Sequence, residues 1–163
     1  MAWTTPGTAT AGEVLTAAFW NANVRDNSNE LAPFFAAWTT WTPSLTGITT
    51  GNGTVTAKYL QIGKMVQFRF KFQLGSTSAI TGGPTITLPV AQATGSHLSC
   101  PVLYEDSGLR LHMGMSQILT GTISLFAINT ASVYAETAGI SSTVPFTWTT
   151  NDSLVANGTD EAA

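Results

Sequence analysis

Four polar residues lie close together in the sequence and could support acid–base chemistry. Glu105, Asp106, Arg110 and His112 flank a turn-forming sequence at residues 106–108, so a β-hairpin would bring them near one another. A carboxylate beside an imidazole can act as a general acid–base pair, and paired carboxylates can bind a cation. The alternative, which we favour, is a solvated turn with a cross-strand ion pair of little energetic consequence.

Other signals for catalysis or metal binding are sparse. His97 and His112 are the only histidines, and neither has a ligand residue at the usual spacing of a metal site. Cys100 is the only cysteine, which excludes an intrachain disulfide and a multi-cysteine zinc site. A glycosidase needs two carboxylates that face each other in a cleft, and the strand region offers few acids such as Glu136 and Asp152. We therefore predict a protein without enzymatic activity, cofactor or metal.

Aromatic residues offer a second kind of candidate site, because they could stack on sugar rings. In strands, however, aromatic side chains lie more often in a core or in a subunit interface. The candidates are Trp38, Trp41, Tyr59, Tyr104, Tyr134 and Trp148. We expect most of them to be structural.

The clearest structural pattern lies at residues 64–74, where apolar and polar side chains alternate. The apolar positions are Val66, Phe68, Phe70, Phe72 and Leu74, and the polar positions between them are Gln67, Arg69, Lys71 and Gln73. This period of two predicts a β-strand with one face in a core and one in water. The surface that covers its apolar face must be another apolar sheet face.

Further short apolar segments follow, separated by turns rich in Gly, Asn, Asp and Pro. We predict strands at residues 38–43, 47–50, 55–61, 79–80, 85–88, 100–104, 109–113, 118–128, 132–136, 146–149 and 154–157. Many short strands at this spacing predict a mostly β fold, an antiparallel β-sandwich or jelly-roll-like domain.

The N-terminal segment differs from the strand region. We expect residues 1–12, which include Trp3, to form an extended arm, and a short α-helix to begin after Thr16 and end at Pro33. A seam at spacings of three and four residues comprises Ala17, Trp20, Val24, Asn27 and Leu31. About two heptads cannot hold a coiled coil alone, so the helix must dock on another surface.

Within this seam Asn27 allows two interpretations. A polar seam residue can fix the register and the number of subunits, or Asn27 can face solvent on a helix that lies against its own sheet. In either case we divide the chain into an arm and helix at residues 1–35, for attachment and oligomerisation, and a β-domain at residues 36–163.

The composition is poor in charge. Charged residues make up 9% of the chain, against about 25% in ordinary domains. Either the surface of a monomer is threonine-rich and uncharged, or much of it is covered in an assembly, and we favour the assembly.

The sequence shows no signal for nucleic-acid or membrane partners. The net charge is −3 and no run of three basic residues occurs, so the basic surface typical of nucleic-acid binding is not indicated. No apolar segment has the length of a signal peptide or a membrane span, so we expect no membrane insertion.

In their order along the chain, several motifs are similar to those of small virion proteins of tailed bacteriophages, particularly phages of actinobacteria. The N-terminal motifs are Trp3-Thr4-Thr5-Pro6, Ala11-Gly12-Glu13-Val14, Thr16-Ala17-Ala18, Asn21 and Val24-Arg25-Asp26-Asn27. Those that resemble the distal β-domain of phage fibre and tail-tip proteins are Trp41-Thr42-Pro43, Gly51-Asn52-Gly53-Thr54, Tyr59, Ile62-Gly63-Lys64, Gly75-Ser76-Thr77-Ser78, Leu88-Pro89-Val90 and Pro145-Phe146-Thr147-Trp148. The resemblance covers nearly the whole chain.

This resemblance implies a non-enzymatic structural protein on the outer surface of the phage particle. It implies a homotrimer that the N-terminal arm and helix attach to other virion proteins, with the β-domain presented outward. As part of the tail tip or a short fibre, the protein would bind a host-surface glycan through outer loops such as residues 75–83 or 91–99. As a capsid decoration protein, it would use Trp3, the arm and the helix to clamp neighbouring capsomers. Both functions remain open at this point.

Overall fold

The β-domain is a curled antiparallel sheet. The computed structural model describes residues 5–8, 11–12, 14, 16–31, 37–95, 98–131 and 133–163. The strands found there are β1 (Thr39–Thr40), β2 (Leu45–Thr49), β3 (Thr54–Ile62), β4 (Met65–Gln73), β5 (Ala79–Thr87), β6 (Leu98–Asp106), β7 (Arg110–Leu119), β8 (Thr122–Asn129), β9 (Glu136–Gly139) and β10 (Ser153–Glu161). Their order is β1-β3-β4-β10-β6-β7-β8-β5-β2, with β9 also paired to β8. The predicted mostly β fold, preceded by one short helix, is confirmed.

The helical segment has three parts. These are α1 (Ala17–Trp20), a π-helical turn (Asn21–Arg25) and α2 (Asp26–Glu30). Thr16 caps the start as predicted, because its Oγ1 accepts a hydrogen bond from the Phe19 N–H at 3.2 Å. The chain divides into two compact units, Met1–Ala37 and Trp38–Ala163.

Strand β4 supplies one wall of the core. Its inward side chains Val66, Phe68, Phe70 and Phe72, together with Leu74 just beyond the strand, are all buried. The polar positions between them are exposed. On one side β4 pairs with β3, and on the other with β10, which lies between β4 and β6. Inward residues of the other strands, such as Ile86, Ile118 and Leu154, complete the apolar cluster.

Four of the predicted strands differ from those in the structure. Residues 118–128 are interrupted, because Thr120 and Gly121 form a two-residue hairpin loop with φ angles of 51° and 81°. Residues 79–80 and 85–87 belong to one strand, β5, which ends before Leu88. Residues 146–149 form no strand. Instead, Phe146 and Trp148 pack ring against ring with centroids 4.5 Å apart.

A close contact on the inner side of the sheet sets how β6 and β7 fit together. Tyr104 of β6 is fully buried, and its hydroxyl donates a hydrogen bond to the Phe126 carbonyl oxygen at 3.0 Å. The ring lies where a side chain would project from Gly114 of β7. A Cβ atom at Gly114 would overlap both the Tyr104 ring and the Phe126 carbonyl group. Only glycine fits beneath this tyrosine.

A second inward contact fixes the same orientation of β7. The Ser116 hydroxyl donates a hydrogen bond to the Cys100 carbonyl oxygen at 3.0 Å and accepts one from the Cys100 N–H at 3.3 Å. Gly114 and Ser116 thus face inward. Because side chains alternate along a strand, the odd-numbered residues from Leu111 to Met115 must face outward. These outward residues are Leu111, Met113 and Met115.

Near its end, β10 carries a buried acid. Asp160 is buried, and its Oδ1 accepts a hydrogen bond from Gln92 Nε2 at 3.1 Å. Gln92 Oε1 in turn accepts a hydrogen bond from the Gly121 N–H at 3.1 Å. Burial raises the pKa of the Asp160 carboxyl, and this outweighs the hydrogen bonds that Glu161 and Gln92 make to it. Relative to the protonated form, the ionised carboxylate of Asp160 is therefore less favoured in the folded protein than in the unfolded chain.

The Gly114 contact predicts a large effect from one methyl group. Gly114→Ala should lower the free energy of unfolding by about 1–3 kcal/mol, because the added Cβ atom would overlap the Tyr104 ring and the Phe126 carbonyl oxygen. Gly139→Ala is the matched control, since a Cβ atom there meets nothing within 4 Å. Urea unfolding followed by tryptophan fluorescence measures both. Equal stability of the two variants would contradict the proposed packing.

Asp160 predicts a specific pH dependence. Its raised pKa means that the folded protein binds more protons than the unfolded chain, so its contribution to stability is full below the unfolded pKa near 3.8 and is lost as pH rises through the higher folded pKa. Relative to wild type, Asp160→Asn should therefore become more stable as the pH is raised from 4 towards neutrality. Urea unfolding at both ends of this window measures the difference. Glu136→Gln removes an exposed charge and controls for net charge; the same pH trend in both variants would refute the assignment.

Candidate assembly surface

The four polar residues around the β6–β7 turn do not converge on a site. In the strand ladder Glu105 pairs with Leu111, and His112 pairs with Tyr104, so the carboxylate and the imidazole lie on opposite faces. Glu105 Oε2 accepts a hydrogen bond from Ser153 Oγ at 2.7 Å. The His112 ring packs instead on Phe146, with centroids 5.0 Å apart. An acid–base pair is therefore not formed here.

The cross-strand ion pair predicted at the same turn is also not formed. Asp106 and Arg110 lie directly opposite each other in the ladder. Across the part of the chain that the structure describes, however, the ion pair found within 4.0 Å joins Arg25 and Asp26. The same residues contain no group of three potential metal ligands and no helix that could span a membrane. His97 lies outside them.

Most of the aromatic candidates are structural. The residues buried in the core or packed against it are Tyr104, Trp41, Tyr59 and Trp148. Trp38 is half-buried, and the Arg69 guanidinium carbon lies 4.6 Å from its ring centroid. Tyr134 alone among the six is largely exposed, at 81%. No pair of these rings forms an open stacking surface for a sugar.

The loops predicted to bind a glycan are held by hydrogen bonds over much of their length. Residues 79–83 belong to β5 rather than to a loop. In the preceding turn, the Thr77 N–H donates to Asn52 Oδ1 at 2.9 Å, and Asn52 Nδ2 donates to Ser76 Oγ at 3.1 Å. In the second loop, the Ala93 N–H donates to the Glu161 carbonyl oxygen at 2.8 Å. Residues 96–97 lie outside the described residues.

The helical seam is only partly placed. Its exposed members are Ala17, Trp20, Val24 and Leu31. Asn27 is buried, at 4% exposure, and its Nδ2 donates a hydrogen bond to the Asn23 carbonyl oxygen at 3.2 Å. The interpretation that Asn27 faces solvent is therefore wrong. Trp3 and Pro33 lie outside the described residues, and the role of the seam in attachment remains a prediction.

The most distinctive surface is the outward side of β6, β7 and β8, which we call the apolar face. It comprises Pro101, Leu103, Leu111, Met113, Met115, Phe126 and Ile128. Across the ladder Pro101 lies opposite Met115, and Met115 lies opposite Phe126. Leu111, Met113 and Met115 are 64%, 70% and 43% exposed. Part of this face lines a depression of about 700 Å³. Its seven residues are uncharged.

The outward side of β3 and β4 has the opposite character, and we call it the basic face. It carries Lys58, Arg69 and Lys71, with Lys58 directly opposite Arg69 in the ladder. Among the described residues, none of the three cations has a carboxylate within 4.0 Å. These three cations thus lie on other strands than the apolar face, whereas Glu105 lies opposite Leu111 at the border of that face.

Neither face is named by the sequence-based interpretation, although signals for both exist. Leu109, Leu111, Met113 and Met115 alternate with polar residues, but we ended that strand at Met113, and alternation alone would place these side chains inward. Arg69 and Lys71 are correctly placed on one exposed side. To place Lys58 on the same side as Arg69 and Lys71, the register of the β3–β4 hairpin must be known. The two-residue loop Gly63-Lys64 determines that register.

Comparison with known proteins adds no family to these observations. No protein-family model, no curated protein and no solved structure matches the chain. The two outward faces of the sheet, one apolar and one basic, are therefore the features from which a function can be inferred.

Proposed function

We propose that the chain is a non-catalytic structural protein of a bacteriophage particle that forms a homotrimer through the apolar face of its β-domain. The single observation that supports this most is the exposure of Leu111, Met113 and Met115 beside other apolar residues on a regular sheet surface. Contiguous exposed apolar patches of this kind mark protein interaction sites.

The energetics favour a large contact between the copies. Covering one large apolar side chain contributes about 1.5–3 kcal/mol, whereas association costs about 4–15 kcal/mol of rotational and translational freedom. The three most exposed residues alone therefore give marginal binding, and Pro101, Leu103, Phe126 and Ile128 must be covered as well. Apart from Glu105, which lies opposite Leu111 at its border, the apolar face carries no charge, so three copies can meet around a threefold axis and each can cover part of its neighbours. Methionine side chains adapt their shape to such a partner.

The attachment role is proposed for the N-terminal unit. Trp20, Val24 and Leu31 are exposed on a helical segment too short to be stable by itself, which is consistent with docking on a neighbouring protein. The resemblance of this segment to phage virion proteins supports placement on the particle surface. The β-domain then serves host-surface glycan adhesion in a tail tip or short fibre. The alternative is capsid decoration, in which the N-terminal unit clamps capsomers.

Two charges on the apolar face should abolish self-association. Met113→Glu with Met115→Glu places carboxylates where apolar side chains must meet, so we expect a mass of one chain by light scattering, against three chains for wild type. Circular dichroism should be unchanged, because both side chains are exposed in the isolated chain. Gln67→Glu with Gln73→Glu adds the same charge to the outward side of β4 as the control. A monomeric wild type, or an unchanged mass for the methionine variant, would overturn the proposal.

Removal of residues 1–37 should separate attachment from folding. The remaining unit contains all the strands of the described sheet, so it should keep its circular dichroism spectrum while it no longer incorporates into phage particles. Western blotting of purified particles measures incorporation. Normal incorporation of the truncated protein would refute an attachment role for the arm and helix. Gold-labelled antibody on wild-type particles then distinguishes a tail position from a head position.

A further inference from the structure

We infer that the basic face binds an anionic carbohydrate polymer, one whose repeating units carry a carboxylate or a phosphate. This inference rests on the proposed adhesive function and specifies the chemistry of its ligand. Its basis is the convergence of Lys58, Arg69 and Lys71 on the outward side of β3 and β4.

The charge distribution is unfavourable without a ligand. These three cations are half of the six lysines and arginines in a chain whose net charge is −3. Lys58 lies directly opposite Arg69, and like charges at such positions destabilise a sheet. Among the described residues, no carboxylate lies within 4.0 Å of any of them. An anion bound between them would convert this repulsion into attraction.

The central cation is already held in place. The Arg69 guanidinium carbon lies 4.6 Å from the centroid of the Trp38 ring, a geometry that favours a cation–π interaction. Lys58 is half-buried, whereas Arg69 and Lys71 are exposed. Arg69 therefore loses less conformational entropy when it binds an anion than a free side chain would. Its planar guanidinium can bind a carboxylate or a phosphate through two hydrogen bonds.

Residues around the cations favour a carbohydrate. In the ladder Thr40 lies opposite Lys58, Thr56 lies opposite Lys71, and Asn157 lies opposite Arg69. Hydroxyl and amide groups therefore surround the charges and can hydrogen-bond to sugar hydroxyls. A regular strand surface cannot enclose a small ligand, but it can lie along an extended polymer.

A nucleic acid fits this face less well. Nucleic-acid binding proteins neutralise several phosphates with Lys and Arg side chains, and those that bind single strands also stack bases on aromatic rings. Here three cations are present, and Trp38 is covered on one side by Arg69. Several copies in one assembly would strengthen weak binding of a long carbohydrate chain through avidity.

Binding to defined polymers tests the inference with the full chain. Polygalacturonate supplies carboxylates, poly(glycerol phosphate) supplies phosphates, and dextran is the uncharged control; each is immobilised and binding is measured at low and high salt. We expect wild type to bind at least one anionic polymer but not dextran. Arg69→Gln with Lys71→Gln should weaken this binding at least tenfold. Lys64→Gln with Arg110→Gln removes the same charge elsewhere and should change the affinity less than twofold.

Three results would contradict the inference. Absence of binding to both anionic polymers, equal loss in the two double variants, or equally tight binding of single-stranded DNA would overturn it. The mass of each variant, measured in parallel, separates this inference from the proposed assembly. Unchanged trimers that bind neither polymer would refute the ligand alone, whereas monomers that bind an anionic polymer through Arg69 and Lys71 would refute the assembly alone.

Discussion

The outer surface of the β-domain depends on the packing of Tyr104 over Gly114. The tyrosine ring lies against the inward side of β7, and its hydroxyl donates a hydrogen bond to the Phe126 carbonyl oxygen. Position 114 therefore has no space for a side chain. Strand alternation then leaves one orientation for the rest of β7. The small residues Gly114 and Ser116 line the core, and the large apolar residues between and before them are exposed. The packing of one buried ring is thereby linked to the exposure of an apolar surface on the other side of the sheet.

The fold was predictable from the sequence where large side chains alternate with polar ones. In β4 the phenylalanines can only lie inward, because four charged or amide residues alternate with them. In β7 the same logic fails. Leucine and methionine there alternate with arginine, histidine, glycine and serine, and only knowledge of the ring above Gly114 reverses the assignment. Tertiary contact overrides local pattern at this strand.

The candidate surfaces were less predictable because they depend on pairing between strands. Arg69 and Lys71 share a face by their spacing, but Lys58 joins them only through the register of the hairpin. Likewise, Glu105 and His112 are near neighbours in the sequence, yet they lie on opposite faces of the same hairpin. Proximity along the chain suggested a site that is not formed, whereas Lys58 shares a face with Arg69 although they are 11 residues apart in the sequence. The helical seam could be predicted as a pattern, but Asn27 shows that its members do not share one environment.

The central position of β10 has a consequence for synthesis on the ribosome. This strand lies between β4 and β6, and it carries the inward residues Leu154 and Ala156 of the core. While residues 153–161 are still within the ribosome, the facing edges of β4 and β6 have no partner, and the sheet cannot close. A nascent chain must therefore keep these edges apart from neighbouring chains until β10 emerges. Chaperone contact or slow local synthesis would matter most in that interval, while the sheet is still open at its centre.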